Sequence, residues 1–363
     1  MSYHDCSPPS LAHEAIPEIA RGSFTMKGIL LLCFLLGADV GRAQDQQIGI
    51  IDFFGLRKVS EQQARAALDL QEGDTLPLSL STIEERLRDD LDVAEAHLNV
   101  VCCDDSGNLI LFVGIRETPA KHSMYRESPH WNISLPSEIT DAYNNFIESY
   151  QNAVSKGITG DDVSQGHSLM ADSTTRSWQE QFIDFARHHL KILKTVLRNS
   201  SDPEQRATAA YVIGYAADKR QVTDDLLIAA VDEDEVVRNN AAKALAAIAS
   251  LAQRKPALHI KISPTPFINM LGSPIWTDRN KALTILSILT KKRDRQLLHQ
   301  LHDKAFGSLV EMARWRSKVH AFNAFLVLGR VAGLPERELK KVGLDLPRRN
   351  AVIDRIVKAN RSR

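Results

Sequence analysis

From Asp202 onward the chain repeats itself. DPEQRATAAYVIGYA, starting at Asp202, and DEDEVVRNNAAKALAAIA, starting at Asp232, superpose with Arg206 over Arg238, Ala209-Ala210 over Ala241-Ala242 and Ile213 over Leu245, a period of 32 residues. Arg279 with Ala282, Leu283 and Leu286, and then His320-Ala321, Ala324 and Leu328-Gly329, carry the theme on at steps of 41 residues. A unit of this length cannot bury its apolar face alone, so the pattern predicts helix pairs stacked on their neighbours. Alanines let the helices approach closely, and Leu and Ile fill the space between layers. Asp202 with Arg206 and Asp234 with Arg238 have i,i+4 spacing. An arginine recurring at 206, 238 and 279 is placed to bridge successive layers, so these charges are expected to be structural.

The D-x-x-x-R and A-A-x-x-L features of Asp202–Gly214 and Asp234–Ile248 resemble HEAT-like repeats, and the resemblance extends from about 178 to 335. It implies a curved solenoid with an extended surface for binding protein. HEAT-like repeats also occur in bilin lyases, which gives a second reading as an accessory factor or enzyme subunit, to be tested by uptake of a coloured chromophore. Upstream, Ile139, Tyr143, Phe146, Ile147, Tyr150 and Val154 form one helical stripe, and Phe182 to Leu197 carries another. Between them, Gly157–Ser177 reads as a flexible surface loop. Its Asp161, Asp162 and Asp172 lack calcium-loop spacing.

Residues 48–117 follow a different period. IGIIDFFG is a short apolar run, as in a buried strand. Ser60 and Gln63 form a capping box, and Ser81 with Glu84 offers a second, for two amphipathic helices. Gly73-Asp74 supplies a stop for the first. Ala96, Leu98, Val100 and Cys102 then alternate against His97, Asn99, Val101 and Cys103, and a turn at Asp104–Asn108 leads into Leu111, Val113 and Ile115. This β-α-α-β-β order resembles a POTRA (polypeptide-transport-associated) domain, through Gly55–Ser60 (GLRKVS), Glu72–Asp74 (EGD), the helix ending near Leu91 and the V-x-I-x-E of Val113–Glu117. The resemblance implies a small sheet with two helices on one face and an edge strand that accepts another polypeptide. Ala96, His97, Leu98, Asn99, Val100 and Val101 are the candidate docking strand. The family's usual outer-membrane barrel, or a preceding membrane anchor, is not seen in this sequence. Only the docking sheet is therefore carried over, not a role in secretion.

Ahead of this module, Met26-Lys27, the apolar run Ile29–Leu36 and Gly41-Arg42-Ala43 have the order of an export signal, cleaved between Ala43 and Gln44. The run is far shorter than the roughly 20 residues of a membrane span. Residues 1–25 are unlike a signal's start and read as an untranslated or disordered extension. The expected layout is a leader at 26–43, the POTRA-like domain at 44–118, a linker or extended crossing at 119–137 and helical repeats at 138–363.

Net charge is zero but uneven: residues 48–118 hold 14 acidic and 6 basic residues (−8), and residues 314–363 hold 13 basic and 4 acidic (+9). The two ends are placed to attract each other or to bind opposite partners. Cys102 is expected as a small core residue and Cys103 as a partly exposed thiol, with a vicinal redox pair as the other reading. His188-His189 and His299 with His302 lack the H-E-x-x-H order of a zinc site, and His189 falls on an apolar stripe as a core histidine. Trp131, Trp178, Trp276 and Trp315 read as packing anchors. No catalytic residue, cofactor or metal is expected. The sequence predicts a non-enzymatic bacterial adaptor, periplasmic or secreted, with protein partners and no nucleic acid. A further alternative has the basic C-terminal region holding anionic partners.

Overall fold

The computed structural model describes residues 47–77, 79–119 and 125–361; residues 1–25, the leader and its cleavage point at Ala43-Gln44 lie outside the described residues. The N-terminal module runs β1 (Ile48–Phe54), α1 (Glu61–Leu68), α2 (Leu80–Leu91), β2 (Glu95–Val101) and β3 (Leu109–Arg116). Ser60 caps α1 in the box expected with Gln63. The second expected box does not form. α2 begins after Ser79, so Ser81 is already helical and Glu84 lies too deep in the helix to serve its cap. α1 ends earlier than Gly73, at Asp69 in the left-handed conformation, while Gly73 (φ 101°) opens a turn whose amide bonds the Ile48 carbonyl.

β3 is the central strand, parallel to β1 and antiparallel to β2. Its Leu111, Val113 and Ile115 pack with Leu68, Ile83, Leu87 and Leu98 beneath the two helices. Ile110 and Phe112, on the opposite face, join the core of the helical domain. Both faces of the sheet are therefore covered, and β3 is buried along nearly its whole length.

The helical part begins with α3 (Ser137–Ser155) and α4 (Ser173–His188). The pairs that follow are α5 (Leu190–Asn199) with α6 (Pro203–Ile213), α7 (Arg220–Ala229) with α8 (Glu235–Arg254), α9 (Thr265–Met270) with α10 (Trp276–Leu289) and α11 (Arg295–Ala313) with α12 (Lys318–Val331). The short α13 (Glu336–Val342) and α14 (Leu346–Arg361) close the chain. α6, α8, α10 and α12 stack as one row, with α5 on α7 and α9 on α11 in the other. The sequence's longer steps lie in the 20-residue α8, the 3₁₀ turn Pro256–Leu258 after it and the 19-residue α11. Among the described residues no helix is long and apolar enough to cross a membrane.

The region expected as a flexible loop is a hairpin, β4 (Asp161–Asp162) with β5 (Leu169–Met170). It is bonded to three elements of the array. Gln179 accepts from the Met170 amide, Tyr215 donates to the Ser168 carbonyl, and Arg254 donates to the carbonyls of Val163 and Ser164. Its acids serve local bonds: Asp161 accepts from Ser168, Asp162 from the Ser164 amide, and Asp172 caps α4.

Candidate docking edge and its seam with the solenoid

The two outer strands differ in what meets their free sides. Beyond β1, the Ile48 amide donates to the Asp74 carbonyl and the Ile51 amide to Glu72 Oε1 at 3.2 Å; the Ile51 carbonyl accepts from Arg65 and Arg316. Arg316 also reaches Asp52 at 3.3 Å and pairs with Glu72, whose carboxyl it holds below the usual range. Burial pushes the Asp52 carboxyl up despite the same arginine. This edge is closed. Lys318 pairs with Asp105, so two cations of the basic C-terminal stretch meet acids of the module.

Beyond β2, the Leu98 amide donates to Glu84 Oε1 at 2.8 Å. Alternation in an antiparallel pair then directs the backbone groups of Ala96, Leu98 and Val100 outward, and those of His97, Asn99 and Val101 toward β3. Among the described residues nothing takes the outward amides of Ala96 and Val100. The side chains of Ala96, Leu98 and Val100 face the α1–α2 core. On the other face, Asn99 Oδ1 accepts from the Trp276 amide at 3.1 Å and Val101 enters the solenoid core. His97 lies 3.5 Å from Glu95; its hydrogen bond, with Arg116 at 3.3 Å, holds the Glu95 carboxyl below its ordinary value. Cys102 is exposed rather than part of the core, and its sulfur is bonded to that of Cys103.

The sheet is fixed to the solenoid by aromatic rings. Phe112 stacks on Trp276 with centroids 5.3 Å apart, lies 4.7 Å from Trp315 and meets His320 edge-on. Phe54 packs against Trp315 on one side and carries the Arg279 guanidinium 4.5 Å above its ring. At Gly114 the backbone of β3 comes so close to the Pro274 carbonyl that any side chain would collide with it.

Arg206, Arg238 and Arg279 form a buried ladder along the row that contains α6, α8 and α10. Asp202 and Asp234 do not pair with them; they cap α6 and α8 instead. Each arginine reaches forward. Arg206 grips Asp232 at 3.0 and 2.8 Å, Arg238 grips Asp278 at 2.8 and 3.1 Å, and Arg279 reaches Glu311 at 2.7 Å. Glu311 in turn accepts from the Gly55 amide at 2.8 Å, so the last rung ends on the sheet. Of the segment expected as a linker or extended crossing, residues 125–137 form a strap along this row. Arg126 adds a second guanidinium to Asp232, and Tyr125 lies 4.0 Å over Arg238 with its hydroxyl on Asp278. Burial pushes that phenol up to about 12. Further along, the Trp131 and Leu135 amides donate to Asn199 and Gln205. Trp131 is 60% exposed and is not a packing anchor, whereas Trp276 and Trp315 are buried. His189 is half-buried and 3.5 Å from Glu138, not a core histidine.

Residues 190–259 match the family of HEAT repeats. The matched segment holds the first two layers and the Arg206 and Arg238 rungs, and no curated protein matches the chain. This part of the molecule is built of HEAT-like repeats, an architecture that generally mediates protein–protein interaction.

Lys219 is a buried cation outside the ladder. It is 3% exposed, and its ammonium donates to the Gly214 carbonyl at 2.7 Å and meets His167 Nδ1 at 3.1 Å. Burial lowers Lys219 to about 7, and burial with the nearby Lys219 lowers His167 to about 4. Between about 7 and 10.5 the unfolded chain binds a proton at Lys219 that the folded chain does not, and between about 4 and 6.5 the same holds for His167. Stability therefore falls as pH falls through both windows. Lys219→Met is expected to remove the upper limb, worth on the order of 4 kcal/mol, so that melting temperatures measured from pH 7 to 10 become flat.

Proposed function

We propose that the protein is a non-enzymatic, exported adaptor, which takes up an extended polypeptide on the outer side of β2 and holds a second protein on the solenoid. The observation that carries this reading is the contrast between the edges: β1 is closed by Glu72, Asp74, Arg65 and Arg316, while β2 offers the outward groups of Ala96 and Val100. The POTRA-like order of the module and the HEAT-like repeats support it, and the leader read in the sequence supports action outside the cytoplasm.

A proline at Val100 is the sharper test, because it deletes an outward amide while leaving the β2–β3 ladder whole. At Asn99 a proline would remove a ladder bond. With a photoreactive residue at His97, crosslinking in the intact envelope is expected to recover a reproducible polypeptide partner, lost in Val100→Pro while the thermal melt is retained. The mature chain in the same preparation is expected to begin at Gln44. An unchanged adduct in the proline variant, or none in either chain, rejects docking at this edge.

A further inference from the structure

The terminal layer of a solenoid is ordinarily closed by a polar outer face, but here the last helix leaves an apolar cleft. α14 places Val352, Arg355, Ile356 and Ala359 on one side at helical spacing, and Phe306 of α11 and Leu334 after α12 line the cleft with them. Its volume is about 230 Å³. His302 and Asn360 meet at 2.8 Å and tie α11 to α14 at one end, while Ala332 and Ala359 are exposed, so the cleft opens to solvent. At about 30 Å³ for each water-sized group it holds about seven or eight of them. That suits one large side chain and is too little for a helix laid lengthwise.

Resting on the reading of the solenoid as the surface that holds a second protein, we propose that this cleft takes a phenylalanine side chain from an acidic segment of that protein. The ring of Phe306, 5.5 Å from that of His302, gives the cleft an aromatic wall on which another ring packs. The surroundings supply the charge preference. Residues 314–363 carry a net charge of +9, and the nearby acids are already matched. Glu338 meets Arg355 at 3.2 Å, Asp354 meets Arg314 at 2.6 Å, and Asp303 lies against His299 and His302. On α13, Arg337 and Lys341 are exposed on either side of Glu338 and make no ion pair among the described residues. The pair of Arg355 with Glu338 is exposed and therefore weak, so a carboxylate of an entering segment competes for the guanidinium while its aromatic neighbour fills the cleft.

The test uses the full-length mature protein and three labelled nine-residue peptides, followed by fluorescence anisotropy at about 0.15 M salt. One is built of glutamate and serine around a central phenylalanine, the second has alanine at its centre, and the third has lysine in place of glutamate. The wild type is expected to bind the first roughly thirtyfold more tightly than the alanine peptide and roughly fivefold more tightly than the lysine peptide. Ala359→Trp, at an exposed position, fills the cleft and is expected to abolish the preference for phenylalanine with the thermal melt retained. Arg355→Glu is expected to abolish or reverse the preference for glutamate and to keep that for phenylalanine. If the first peptide binds wild type and Ala359→Trp alike, or ignores Arg355→Glu, the cleft is the wrong site although the solenoid still holds a protein segment. Binding of decanoate with none of the peptides would make the cleft a lipid site and overturn the proposal. If nothing binds, the proposal falls as well, and the adaptor reading is judged separately from the His97 adduct, which does not involve the cleft.

Discussion

Arg238→Met is expected to destabilise the protein by about 3–5 kcal/mol. Arg238 is 1% exposed and makes four bonds: two to Asp278 and one each to the carbonyls of Asp232 and Glu233. Methionine fills most of the aliphatic volume, so the loss is mainly electrostatic. Asp278, 2% exposed, keeps hydrogen bonds from Ser273 and Tyr125 but loses its guanidinium. A buried carboxylate without a cation either bears the desolvation cost or takes up a proton. The companion Arg206→Met is expected to cost less, although Arg206 is equally buried, because Arg126 still holds Asp232. At present burial pushes the Asp232 carboxyl up, and the bonds from Arg206, the Asp234 amide and Arg126 together bring it below its ordinary value. Urea titration of both variants checks the order. Arg126→Ala combined with Arg206→Met should restore the full cost, whereas independent rungs would give simple addition.

The repeat was legible because a solenoid writes each layer with the same small residues and the same arginine. What spacing did not give was the direction of each arginine. An Asp four residues before an Arg fits an i,i+4 pair equally well, and the choice was made by Asp202 and Asp234 lying at helix starts, where exposed amides compete for a carboxylate. In the N-terminal module, alternation separated Ala96, Leu98 and Val100 from His97, Asn99 and Val101 correctly. It did not show that the second face packs on another domain, because Asn99 looks solvent-facing until the Trp276 amide is placed against it. Phe54 and Phe112, both on that face, were the available signal. Gly157–Ser177 read as a loop because each of its strands is only two residues long. Its order comes from Gln179, Tyr215 and Arg254, which no local pattern shows.

Phe112→Ala should separate the sheet from the solenoid. Phe112 is fully buried between Trp276, Trp315 and His320, and its removal is expected to cost about 3–5 kcal/mol. The cost falls on one seam. The α1–α2 core on the far side of the sheet is built from Leu111, Val113, Leu98, Ile83 and Leu87 and does not contain Phe112. The repeat rows retain the Arg206 and Arg238 rungs, but Arg279 loses support, because Glu311 ties it to Gly55, the residue that follows the displaced β1. The wild type is therefore expected to melt in one cooperative transition. The variant should show two, with exchange protection of β1–β3 lost before that of α6 and α8. Gly114→Ala provides an independent route to the same state, since its methyl group meets the Pro274 carbonyl without creating a cavity. If both variants lower a single melting transition without splitting it, sheet and solenoid unfold as one unit and the seam has no special role. If both split, the docking edge is carried on a module whose position depends on Phe112, and the partner affinity of the full chain should fall with it.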